Sequence, residues 1–122
     1  MLGVMNARIE FLQDITETTL PIIQVTKSKN GKTGTATFLF LKPFLFTIFE
    51  KNKQPIQFMN LKWEKKSMST NDIVIFFFKG KPTFLKSTFL FRNSKEWFDF
   101  FHFMQQYSKK TGLYFEEKKV FF

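Results

Sequence analysis

Ile22-Ile23-Gln24-Val25-Thr26-Lys27-Ser28-Lys29-Asn30-Gly31-Lys32-Thr33-Gly34-Thr35-Ala36-Thr37-Phe38-Leu39-Phe40-Leu41 reads as a strand, a turn and a returning strand. Ile22 to Lys27 is β-rich and follows Pro21, which cannot extend a ladder inward. Asn30-Gly31 is the strongest short turn signal, because both residues tolerate positive φ. Gly34 adds a second flexible joint. Thr35 to Leu41 then runs back, rich in Thr and Phe, which suits a pleated, half-buried surface. A β-hairpin is expected here, so the chain must build an antiparallel sheet.

On the N-terminal side, Arg8 to Leu12 reads as a short extended segment. On the C-terminal side, Pro43 ends the second strand. Phe44 to Phe49 is apolar and fits one helical turn or a loop folded over the sheet end. Ile56 to Glu64 looks extended, and Asn71 to Phe78 reads as a strand. Lys79-Gly80-Lys81-Pro82 reads as a second tight turn, from which Phe84 to Phe91 returns antiparallel. Four main strands in up-and-down order are expected.

The period then changes. Asn93 with Glu96 three residues on is a capping-box arrangement. Trp97, Phe100, Phe101, Met104, Tyr107 and Ser108 recur at helical spacing and form a stripe to lie on one face of the sheet. Lys109 and Lys110 suit the helix C-terminus, and Gly112 suits the left-handed residue that ends it. Leu113 to Phe115 is expected to dock as a last short strand. The fold class is therefore α+β, an antiparallel sheet with a C-terminal helix packed on one face. No repeat or linker interrupts residues 1–122, so one domain is expected.

Composition narrows the function. The 122 residues are 43% apolar and carry a net charge of +9. Nucleic acid, an anionic membrane face and an acidic protein all suit that charge. A second reading is equally open: 20 Phe, abundant Lys, Asn and Ile, and little Arg are the products of AT-rich codons. The lysines scatter along the chain instead of clustering as a nucleic-acid footprint does. Without cysteine, disulfides and Cys-based metal sites are excluded. No apolar run approaches the roughly 18 residues of a membrane span. Met1 to Ala7 is too short and mixed for a signal or transit peptide.

Catalytic motifs are thin. His102 is the single histidine, placed on the helix face opposite Met104, and reads as a rim residue. Glu116-Glu117 are the only adjacent acids. Gly31-Lys32-Thr33 imitates the end of a phosphate loop, but Thr26 stands where its first glycine belongs and a strand follows, not a helix. The chain is therefore expected to be a binding protein and not an enzyme. A single-stranded nucleic-acid module would stack bases on Phe38, Phe40, Phe76 and Phe78; the alternative is that these are core residues. Phe44 to Phe49, flanked by Lys42 and Lys51, could dip into a membrane interface, against the alternative of a covering loop.

Two segments carry a family resemblance. One is Ser28 to Phe38, with its Asn-Gly turn and Gly-Thr-Ala-Thr-Phe return. The other is Lys95-Glu96-Trp97 with Phe100, Phe103-Met104, Tyr107, Gly112-Leu113 and Phe115. Together with Ile9-Glu10-Phe11, Pro21 and Gly80-Lys81-Pro82, they resemble the Psb28 family of photosystem II assembly proteins, also called reaction centre W proteins. The likeness runs from about Arg8 to Phe115. It implies a non-catalytic, cofactor-free extrinsic factor on the stromal or cytoplasmic face of immature photosystem II. The implied partners are the larger inner antenna chlorophyll protein, the reaction-centre subunits and, peripherally, the thylakoid surface, with no nucleic acid. The implied location is the stromal side of a plastid thylakoid, or the cytoplasmic side in a cyanobacterium. The chain departs from the family at Lys62-Trp63-Glu64-Lys65-Lys66, where acids are usual, and after Pro43, where Phe44, Thr47, Ile48 and Phe49 replace acids. It also departs at Phe98 (usually Asp), His102 (usually Arg) and Asn93-Ser94 (usually Ser-Pro). The side-chain anchors expected on the first hairpin are Lys27, Lys29, Asn30, Lys32, Thr33 and Thr35, with an exposed sheet edge taking up partner backbone.

Overall fold

In the computed structural model, residues 7–52, 55–113 and 116–119 are described. The strands are β1 (Arg8–Leu12), β2 (Ile15–Thr16), β3 (Ile22–Lys27), β4 (Gly34–Leu41), β5 (Met59–Trp63), β6 (Lys66–Thr70), β7 (Ile73–Phe78), β8 (Lys81–Phe91) and β9 (Glu116–Lys119). Helix α1 (Leu45–Asn52) follows β4, and α2 (Ser94–Thr111) follows β8. The strands form two sheets instead of the single up-and-down sheet expected: a four-stranded one ordered β2-β1-β5-β6 and a five-stranded one ordered β7-β8-β4-β3-β9. The α+β class holds.

Alternation builds the shared core. On β4, Ala36, Phe38 and Phe40 point inward, and on β8 Leu85, Phe89 and Phe91 do the same. Ile9 and Phe11 of β1 and Leu61 and Trp63 of β5 supply the other side. Phe11 meets Phe40 edge to face at 5.1 Å, which joins the two sheets. Helix α2 covers both. Trp97 and Phe100 lie on Phe91 at 4.5 and 4.9 Å, and Phe103 lies on Trp63 at 5.6 Å. Each such buried aromatic contributes about 1.5–3 kcal/mol.

The helix ends follow the sequence. Asn93 Oδ1 accepts from Glu96 N–H at 3.0 Å, and Glu96 Oε1 accepts in turn from Arg92 N–H at 2.8 Å. Gly112 takes φ 77°, and its N–H donates to Ser108 C=O at 2.7 Å. Phe103 is as buried as Phe100, so the apolar stripe is wider than the spacing argument expected.

Other expectations shift. Ile56 to Glu64 is not one extended run. Glu64 takes φ 51° in a turn, and the polar β6 returns beside β5. Pro82 lies in β8, not in the turn, where β7 and β8 change register between Phe76 and Phe77. A helix longer than one turn follows Phe44; Leu45 and Phe46 are buried in the core and cannot enter a membrane, whereas Phe44 stays exposed. The last strand begins at Glu116, after the position expected from Leu113; Tyr114 and Phe115 lie outside the described residues. It pairs with β3 in parallel.

Candidate docking interface

The first hairpin is anchored more than displayed. Ser28 Oγ donates to Asn30 Oδ1 at 2.6 Å and accepts from Thr33 N–H at 3.3 Å; Asn30 Oδ1 also accepts from Lys32 N–H at 2.9 Å. Ser28 N–H donates to Thr33 C=O at 2.9 Å. Only Gly31 takes positive φ, so the turn is a wider loop, not the two-residue reversal that Asn-Gly suggests. Thr35 and Thr26 hydroxyls bond across the strands at 2.5 Å. Lys27 Nζ sits 5.6 Å over the Trp97 ring. Of the six anchors expected, Lys27, Asn30, Thr33 and Thr35 thus have internal work, while Lys29 and Lys32 point from the exposed tip. Gly34 is obligatory: a Cβ would collide with the Trp97 ring and the Thr26 carbonyl.

The second hairpin is built in the opposite sense. Lys79 and Gly80 both take positive φ (52° and 79°), the signature of a tight two-residue turn. β7 pairs with β8 along one flank, and no strand flanks its other side among the described residues. Thr88 N–H donates to Asp72 C=O at 3.1 Å on the β7 side. Alternation along β8 then points Lys86 and Phe84 at β7, where they face Val74 and Phe76. The backbone N–H and C=O groups of Ile75 and Phe77 are therefore turned outward. β7 stops pairing at Ser87, leaving a groove of about 540 Å³ between the β6 end (Met68, Thr70) and Leu90 on β8.

The outer face of this sheet is apolar. Ile22, Leu39, Lys86 and Val74 lie in one cross-strand row, and Leu41, Phe84 and Phe76 in the next. The phenylalanines proposed for base stacking divide. Phe38 and Phe40 are fully buried, whereas Phe76 and Phe78 are exposed, so the four make no common platform. Two long runs of the chain are free of acids, which the scatter of lysines along the chain concealed. No Asp or Glu occurs between Glu17 and Glu50 or between Asp72 and Glu96, so both hairpins carry lysine alone.

Glu10 and Glu64 lie on and beside the four-stranded sheet, while Glu116 and Glu117 belong to β9 of the five-stranded one. Glu10 accepts from Arg8 Nε at 2.7 Å and pairs with Lys62 Nζ at 3.0 Å. Burial pushes its carboxyl up, but the bonds from Arg8, Lys62 and the Asp14 N–H outweigh that and hold it below the ordinary range. Glu17 is buried and accepts from Phe44 N–H at 2.7 Å and Leu45 N–H at 2.9 Å, capping α1 from a distance. Tyr107 is pushed up to about 12 by burial and then by the Glu17 charge. His102, a half-buried rim residue, accepts from Trp63 Nε1 at 3.3 Å and stands 3.7 Å from Glu64. No group of three or more metal-binding side chains occurs among the described residues.

The family model of the Psb28 protein matches residues 9–115. The chain belongs to the Psb28 family. Curated relatives match it over most of its length. The Photosystem II reaction center Psb28 protein of Phaeodactylum tricornutum is 34% identical, over 93% of this chain and 98% of the relative. That of Synechococcus elongatus is 34% identical, over 93% and 99%. The Thalassiosira pseudonana protein is 35% identical, over 91% and 97%. No helix among the described residues is long and apolar enough to cross a membrane.

Proposed function

We propose that this chain acts in photosystem II biogenesis or repair as a non-catalytic extrinsic factor on the stromal or cytoplasmic face of the unfinished complex. The reading draws on the family and on its relatives' names, all of them photosystem II reaction center proteins. The observation that carries the mechanism is the open flank of β7. An extended segment of a photosystem II subunit, with the larger inner antenna protein and the reaction-centre pair as partners, adds backbone to backbone beside Ile75 and Phe77. Such pairing asks little of side chains. It therefore tolerates the replacement of family acids by the basic Lys62 to Lys66 turn.

Lys29 and Lys32 at the first hairpin tip steer the approach toward acidic loops of the partner complex. Their neighbours Asn30, Thr33 and Thr35 hold the tip in shape, and Lys27 braces it on Trp97.

The test is affinity purification of a tagged copy from a photosynthetic host. The unaltered chain should retain photosystem II core subunits. Ile75→Pro removes an outward N–H without touching the β7–β8 ladder and should abolish retention, whereas Ile75→Ala, which removes only bulk, should keep it. Lys29→Glu with Lys32→Glu should weaken capture. Equal retention by all variants would refute edge docking.

A further inference from the structure

We propose that the turn end of the β7–β8 hairpin, together with the adjoining Lys42-Pro43-Phe44 corner, inserts directly into the interfacial layer of an anionic lipid membrane. At this end Phe77 and Phe78 are 63% and 65% exposed, more than most of the chain's other large apolar residues. Phe44, Phe76 and Phe84 are partly exposed beside them. The corner is tied to the hairpin by Lys42 N–H donating to Thr83 C=O at 2.9 Å. A groove of about 530 Å³ runs between Pro43 and Phe46 on one side and Phe78 and Pro82 on the other.

The pattern of exposure selects the partner. Successive strand residues face opposite sides, so Phe77 and Phe78 project from both faces of β7. A protein surface packs against one face of a sheet. The headgroup–acyl boundary surrounds a protruding tip on every side and solvates both. Charge agrees. Lys42, Lys79 and Lys81 ring the phenylalanines, and no acid interrupts either run of chain. Glu17, the carboxylate bonded at this corner, is buried against the Phe44 and Leu45 N–H groups. Lys79 Nζ lies 5.4 Å from the Phe78 ring centroid, so an apolar stem and a cationic head already share one site, the arrangement that lets lysine reach headgroups from a buried base.

This contact does not depend on photosystem II. It fits the edge-docking reading, since a tip seated in lipid leaves the β7 flank upright beside loops that emerge from the membrane.

The full chain is sedimented with phosphatidylcholine vesicles, with or without phosphatidylglycerol. Binding is expected only with phosphatidylglycerol and should weaken as salt rises. Phe77→Ser with Phe78→Ser should lower affinity at least tenfold. Lys42→Gln, Lys79→Gln and Lys81→Gln together should lower it roughly 100-fold at low salt. Both sets are exposed substitutions, and unchanged melting temperatures verify the fold. Lys29→Gln with Lys32→Gln, at the other hairpin tip, should leave binding nearly unaltered. The proposal is overturned if the unaltered chain ignores anionic vesicles, or if the phenylalanine pair is dispensable. It is equally overturned if the Lys29 and Lys32 pair matters as much, because charge without position would then suffice. A dimer dispersed by the phenylalanine variant, without vesicle binding, would assign this end to a second copy of the chain. Because vesicles contain no photosystem, failure here leaves edge docking standing, and failed co-purification leaves lipid binding standing.

Discussion

Two hairpins of one sheet reverse the roles that their composition suggests. The β3–β4 hairpin has the polar tip, yet it is the one built into the molecule. Trp97 presses on Gly34, Lys27 lies over the indole, Ser28, Asn30 and Thr33 close a ring of hydrogen bonds, and β9 covers the β3 edge. The β7–β8 hairpin has Phe76, Phe77 and Phe78 in sequence, yet those side chains meet solvent and one flank has no neighbour. The contrast shows that an apolar strand is buried only where another layer reaches it. Helix α2 ends its cover near β8, and β7 lies past that reach. A free, flat apolar edge is ordinarily an aggregation hazard, and a membrane or a partner strand removes it.

The strongest way to break the comparison is at Trp97. Trp97→Ala should destabilise the chain by roughly 3–5 kcal/mol in denaturant unfolding, because it empties the seat on Phe91 and Gly34. An equally stable variant would mean the first hairpin is not clamped. Next comes Gly34→Ala, expected to cost about 3 kcal/mol through overpacking against the indole and the Thr26 carbonyl. Combined with Trp97→Ala the cost should be less than additive, since one of the two collisions is gone.

A control outside both hairpins is Glu10→Gln, expected to cost about 1.5–3 kcal/mol at neutral pH. The sign follows from its lowered carboxyl. The ionised pair stabilises the fold above the ordinary value of 4.5 and is lost as pH falls through the lower folded value. Glu10→Gln should therefore flatten the acid limb of the stability curve. Neither hairpin carries a carboxylate, so acid alone should not distinguish them.

Asn30→Ala should cost about 1 kcal/mol, the worth of a tip hydrogen bond. Smallest of all, Phe77→Ser should change stability by less than about 0.5 kcal/mol while improving solubility. A large loss there would place Phe77 in the core and erase the contrast. Amide hydrogen exchange sharpens it: β4 should be protected, with faster exchange at the outward N–H groups of Ile75 and Phe77.

Much of this was legible along the chain. The β3, β4 and α2 spans, the Asn93 cap and the Gly112 stop rest on neighbours a few residues apart, and periodicity reports such relations directly. The candidate site was less legible. Asn30, Thr33 and Thr35 look like polar anchors because hydrogen-bonding capacity is visible in a sequence and its internal satisfaction is not. Strand β6 escaped notice because Met68 alone marks its inward side. The two acid-free runs could have been read directly, but their meaning required knowing that they pair in one sheet.

The chain's own order of residues determined its strands, its helix and the family to which it belongs, because alternation, caps and turns act over a few bonds. Only the tertiary structure decided which apolar strand stays open, that Glu17 caps a helix many residues away, and that the two acid-free hairpins lie in one sheet. Those outcomes depend on which layers meet, and packing between distant segments leaves no periodic trace in the chain.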